Sequence, residues 1–202
     1  MSFQEVRFHP APGRVLAVVV VAVCALGIVA LVWTDAASAL RYGWALALIA
    51  ALAWSLFWRP GLVIQEHGIT VVNVFRTQFV PWPSILAIDT RFALTLHTVA
   101  GRVPVWAAPS PGRHRMFGLA RKDFEGVGDS ARGAHGGLRP SDALSTASGG
   151  LAQVIRRHWE DLSDAGAFSH GADPAAAIVT WHWTTIGVIA ALTAATLIGL
   201  FV

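Results

Sequence analysis

The sequence predicts a membrane α + β protein. Three transmembrane helices are expected, with an antiparallel β-barrel or sandwich between the second and third, capped at its C-terminal end by an amphipathic helix. Three observations lead there. Three long apolar runs carry no formal charge, a stretch between the second and third alternates with a period of two, and one short segment further on has a helical apolar face. Composition agrees: 54% of the 202 residues are hydrophobic and 13% charged, against about 25% charged in an ordinary soluble domain. Mean hydropathy is +0.55.

The first run is Val15 to Trp33, "VLAVVVVAVCALGIVALVW". The second, Tyr42 to Trp58, "YGWALALIAALAWSLFW", is bracketed by Arg41 and Arg59. The third, Ala175 to Val202, has His182 as its one titratable side chain. About 20 apolar residues cross roughly 30 Å of hydrocarbon, and the second run reaches that length if its flanking arginines snorkel. Trp33, Tyr42, Trp44, Trp58, Trp181 and Trp183 cluster at the run ends, where interfacial aromatics belong. A signal peptide is the alternative for the first run, since Ala37-Ser38-Ala39 is a small-residue cleavage triplet. The run exceeds the roughly 7–15 residues of a signal core, and a second run follows almost at once, which favours a helical hairpin. The lone Cys24 lies inside an apolar run, which excludes an internal disulfide and a multi-cysteine metal site.

Arg7 and Arg14 precede the first span, Arg41 alone separates the first two, and an arginine-rich region follows Arg59. The positive-inside rule then puts the N-terminus and the middle of the chain in the cytoplasm of an inner or plasma membrane. The hairpin tip Thr34–Arg41 and Val202 would lie outside.

From Gly61 to Trp106 the strands follow one another. "GLVIQ" presents Leu62 and Ile64 on one face; "EHG" breaks it, with Gly68 free to take positive φ. "ITVVN" is β-branched, "VFR" is a turn, and "TQFVPW", "SILAIDTR", "ALTLHTV" and "RVPVW" follow, the last two linked through Ala100-Gly101. About six short strands at hairpin spacing predict an antiparallel meander that curls into a barrel or sandwich. Pro81, Pro83 and Pro104 belong at strand ends or an edge, and Trp82, between two prolines, at the core of a bend. Asp89 is expected to face solvent or to pair with Arg91.

Residues 109–150, rich in Gly, Ser, Pro and mixed charge, predict a long loop or flexible insert. "LAQVIRRHWEDL" then puts Leu151, Val154, Ile155, Trp159 and Leu162 on one helical face and Arg156, Arg157, Glu160 and Asp161 on the other, with Ser148 as candidate N-cap. The expected organisation is an N-terminal tail over 1–14, a transmembrane hairpin over 15–58, the strand-rich domain over 59–162, a linker over 163–174 and a third span over 175–202.

On this plan the run "GITVVNVFRTQFVPWPSI" resembles the membrane-anchored pleckstrin-homology (PH)-like domain proteins of high-GC Gram-positive bacteria. The resemblance rests on Gly68, Asn73, Arg76, Thr77, Val80, Pro81, Trp82 and Ile85, and on the two spans before them. It covers roughly Arg59 to Leu162 and implies a non-enzymatic binding or scaffolding module.

Chemistry-bearing patterns are sparse. The eight histidines lack HxH or HxxxH spacing, so no zinc site is indicated. "GVGDSA", Gly126 to Ala131, fits a relaxed dinucleotide pattern but lacks the strand before and the helix after. Phosphate-loop and nucleophile-elbow motifs are missing; no cofactor or metal is implied, and an enzyme is not expected. Net charge is only +3, with cations spread among acids, so nucleic acid is not expected as a partner. The densest basic patch holds Arg113, Arg115, Arg121 and Lys122 with Phe117. It suits a membrane surface, or equally a solvated loop whose apolar residues touch the barrel. Small residues recur every fourth position at Gly43, Ala47, Ala51 and Ser55 and again at Gly187, Ala191, Ala195 and Gly199. Such stripes let helices approach closely; they could face each other, a partner protein or a second copy. No span carries a charge, so a transporter path has no support.

The expected function is binding: holding a protein partner, a membrane complex or a second copy at the cytoplasmic face of the bilayer, with an exposed strand edge open to an extended peptide. Recognition of anionic lipid headgroups is the alternative.

Overall fold

The computed structural model describes residues 5–90, 93–109, 143, 146–166, 168 and 178–201. Two compact units emerge. One comprises Met1–Phe8, Gly61–Asn73 and Thr77–Val179; the other comprises His9–Pro60, Val74–Arg76 and Thr180–Val202.

The second unit is helical. Helix α1 is Ala11–Thr34 and α2 is Ala36–Ala53, which runs on through one π-helical turn, Trp54–Trp58. Asp35 separates α1 from α2. Its carboxylate caps α2 by accepting from the Ala37 and Ser38 amides and from the Ser38 hydroxyl. These bonds, the hydroxyl's first, hold the Asp35 carboxyl below its ordinary value. The chain's last helix, Trp183–Phe201, pairs antiparallel with α2. Near its start Thr185 accepts from the Arg59 guanidinium, and near its end Gly199 backs onto the Arg41 carbonyl. All three helices are long and apolar enough to cross a membrane. At 1.5 Å per residue they reach about 36, 34 and 28 Å. Ile178–Trp181, expected within the third span, is instead a short strand, so that helix begins at Trp183.

The strands form two antiparallel sheets, most of whose residues belong to the first unit. β1 (Val6–Phe8), β2 (Gly61–Gln65), β3 (Gly68–Val72), β4 (Arg76–Pro81) and β8 (Ile178–Trp181) form one, in that order. β5 (Ile85–Asp89), β6 (Ala93–Thr98) and β7 (Gly101–Pro109) form the other. The sheets do not close into a barrel, which corrects half of the sequence expectation. The six strands read between Gly61 and Trp106 are present. The alternation behaves as the pleat requires: Leu62, Ile64, Ile69, Val71, Val80, Leu94, Leu96, Val103 and Val105 are all buried, with partly exposed residues between them. Helix α3 (Ala147–Asp164) adds Leu151, Ala152 and Ile155 to the same core.

Three details differ from the sequence reading. Gly68 does not take positive φ; among the described residues only Gly101 and Gly166 do. What Gly68 supplies is room, since a Cβ there would stand 2.5 Å from the Val80 carbonyl oxygen and 2.9 Å from the Pro81 Cα. The cap of α3 is Thr146, whose hydroxyl accepts from the Gly149 amide at 3.0 Å, and Ser148 is buried inside the first turn. The inner face of α3 is also rotated from the one expected. Val154 is exposed, while Arg156 is buried and its guanidinium donates to the Ile88 carbonyl at 3.1 Å. The Ile88 carbonyl gives that cation an acceptor. Asp89 is partly exposed; its suggested partner Arg91 lies outside the described residues.

Candidate functional site

Apart from Arg76, the residues on which the family resemblance rests belong to the first unit. Trp82 opens a 3₁₀ turn, Trp82–Ser84, between β4 and β5. It is 1% exposed, its indole N–H donates to the Gln65 carbonyl at 3.0 Å, and its ring meets His158 edge-on at 4.8 Å. Pro81 and Pro83 flank it, where neither is asked for a ladder donor. Ile85 starts β5 in the core.

Asn73 follows β3 and joins the two sheets. Its side-chain amide donates to the Pro104 carbonyl at 2.8 Å and accepts from the Trp106 amide at 2.9 Å. These two backbone groups flank Val105 on β7, so the amide makes the bonds that a residue of a neighbouring parallel strand would make. An amide can do this because it carries a donor and an acceptor together. Arg76, in the helical unit, lies over the Trp181 ring at 5.9 Å. The His182 ring sits 3.3 Å from the Val74 carbonyl, and its backbone amide donates to the Phe75 carbonyl.

Among the described residues β5 is an edge strand. Its pairing with β6 slips between Ile85 and Ala87, leaving Leu86 as a bulge residue with 61% of its surface exposed. Beside it, between β5 and α3, runs a groove of about 190 Å³ lined by Ile85, Leu86, Ala87, Ile88, Arg156, Trp159 and Glu160. Small-molecule sites usually measure about 300–1,000 Å³, so this groove suits one or two side chains of a larger ligand. The Trp159 indole nitrogen at its wall is buried and has no hydrogen-bond partner; native interiors rarely leave such a donor idle. Sequence reasoning missed this site because Leu86 and Trp159 lie far apart along the chain and neither belongs to a motif.

The small-residue stripes are only partly brought to contacts. Gly199 meets the Arg41 carbonyl, where a Cβ would come within 2.7 Å, whereas a Cβ on Gly43 or Gly187 would meet nothing within 4 Å. Ala47, Ala51 and Ala195 are half-covered and Ala191 is exposed. Ser55 is buried with its hydroxyl on the Ala51 carbonyl at 2.7 Å. Gly27, outside either stripe, is the tight point of α1, where a Cβ would reach Leu46 at 3.0 Å. The suggested membrane-surface residues Arg113, Arg115, Phe117, Arg121 and Lys122 lie outside the described residues. Among the described residues no three His, Cys, Asp or Glu side chains gather as metal ligands.

No curated protein and no solved structure matches the chain. Residues 59–127, which contain all of β2–β7, match the family model of the bacterial PH domain.

Proposed function

We propose that this is a membrane-anchored, non-enzymatic binding or scaffold protein whose PH-like unit holds an extended segment of a membrane-protein partner against β5. The reading rests above all on one observation: among the described residues β5 lies at the edge of its sheet, and its exposed bulge residue Leu86 borders a groove sized for side chains. Backbone groups of an added strand would supply affinity and the groove selectivity. The bulge restricts indiscriminate edge pairing, which suits a site reserved for one partner.

The PH-domain match supports a binding role, and the three apolar helices are compatible with anchoring. For orientation, we place the end that carries Arg14 and Arg59 in the cytoplasm. At the opposite end the lone Arg41 is balanced by Asp35.

The test is site-specific photocrosslinking in the full chain, in its native membrane. A photoreactive residue at Ala87 should yield one stoichiometric adduct with a membrane protein, and the same probe at exposed Val99 should not. Burying Leu86 on docking is worth about 2 kcal/mol, so Leu86→Asp should weaken the Ala87 adduct by roughly 30-fold. An adduct with a second copy of the chain would identify self-association at this edge. Equal adducts from both positions, or none from Ala87, would overturn the docking edge.

A further inference from the structure

One end of the helical unit gathers cations without counter-charges. Arg14, in the first turn of α1, places its guanidinium 5.1 Å from the Trp58 ring centroid. Arg59 follows the π-helical turn and donates to the Thr185 hydroxyl on the last helix, α4 (Trp183–Phe201). Arg76 lies over Trp181, two residues before α4. Trp54 and Trp58 stack at 4.9 Å beside them. Among the described residues the one ion pair is Arg7 with Glu5, so none of these three arginines meets a carboxylate. The Arg14 Nε is buried and has no hydrogen-bond partner. The far end of the same unit differs: there Arg41 stands over Tyr42 and Asp35 supplies a negative charge.

We propose that Arg14 and Arg76, set on their tryptophan platforms, and Arg59, held by Thr185, bind the phosphodiesters of anionic phospholipid headgroups at this end of the bundle. A cation left at the hydrocarbon edge without a partner is costly, and a guanidinium fork matches phosphate oxygens. The flat rings occupy the depth at which interfacial tryptophans settle, which sets the forks at headgroup level. Zwitterionic lipids carry the same phosphate beside an ammonium that repels the arginines, so net anionic headgroups are selected. The site rests on the reading of the helices as spans and is independent of the β5 groove.

The experiment places the full chain in lipid nanodiscs of phosphatidylcholine alone or mixed with phosphatidylglycerol, and counts the lipids retained on release by native mass spectrometry. Each arginine near an anionic surface contributes about a fivefold preference. With three arginines, phosphatidylglycerol should therefore be retained over phosphatidylcholine by roughly 100-fold in the wild type. Arg14→Gln and Arg59→Gln should each lower this about fivefold, Arg59→Lys should restore much of it, and Arg41→Gln should leave it unchanged. Equal retention of the two lipids, or full preference in the double glutamine variant, would overturn the proposal. So would retention of added glycerol phosphate from phosphatidylcholine discs at the level of the anionic lipid, which would mean a soluble-anion site. Failure to enter either disc would overturn the spanning reading and this site with it, whereas incorporation without preference would overturn the site alone.

Discussion

Replacing Asn73 should open the seam between the two sheets. Asn73→Ala removes the bonds to Pro104 and Trp106, at 2.8 and 2.9 Å. A neutral hydrogen bond contributes about 1 kcal/mol net, and Asn73 is partly exposed, so water replaces some of the loss; the expected cost is about 2 kcal/mol or a little less. Asn73→Asp should cost more than alanine at neutral pH. One carboxylate oxygen can still accept from Trp106, but the other then faces the Pro104 carbonyl oxygen where an N–H used to donate. The fold thus favours the protonated acid, so its folded pKa is raised. The destabilisation is full above that raised pKa and relieved as pH falls through it, because a carboxyl O–H can donate to Pro104. Hydrogen exchange followed by mass spectrometry on the β7 peptide of the full chain in detergent reads this locally. A loss of about 2 kcal/mol corresponds to roughly 30-fold faster exchange at the Trp106 amide. Unchanged protection in Asn73→Ala, or an aspartate variant more protected than the alanine variant at neutral pH, would refute the reasoning.

Gly68→Ala should destabilise the first unit by about 2 kcal/mol or more, because the new methyl meets backbone atoms of β4 that cannot swing aside; Gly43→Ala, with open space around it, should be neutral or slightly stabilising. Comparing thermal midpoints of the two purified variants checks both, and equal midpoints would discard the close-approach argument. At the hairpin tip the Asp35 carboxyl is held below its ordinary value of 3.8. Its contribution is therefore present above that value and is lost as pH falls through the lower folded one. Asn is also a good cap, so Asp35→Asn should match the wild type near neutrality and show a shallower loss of melting temperature on acidification; parallel acid profiles would contradict the assignment.

The helices and the six central strands were legible in the sequence for different reasons. Spans announce themselves because hydrocarbon tolerates no charge, and runs such as Val15 to Trp33 contain none. The strands show because β-branched residues alternate with polar ones at a single-faced core. β1 and β8 were not legible: at three and four residues each is too short to display a period, and each abuts an apolar run that dominates the local pattern. Closure could not be judged either, since barrel and sandwich share the same alternation. Helical periodicity puts Arg156 on the outer face, yet its guanidinium donates to the Ile88 carbonyl on the inner one. Asn73 was marked by family resemblance, whereas its role depends on β7, some thirty positions away, which no local pattern brings near. The β5 groove is similarly a product of tertiary packing.

The π-helical turn at Trp54–Trp58 means that α2 ends with one residue more than a regular spiral needs, closed by the Arg59 amide on the Trp54 carbonyl. A helix advances roughly 100° per residue. Excising a single residue from this turn would let it relax to ordinary winding and swing Arg59 about that far around the axis, away from Thr185. The bundle's length would barely change, yet its cationic rim would face another direction, so the reading frame of this one turn sets where the charge points.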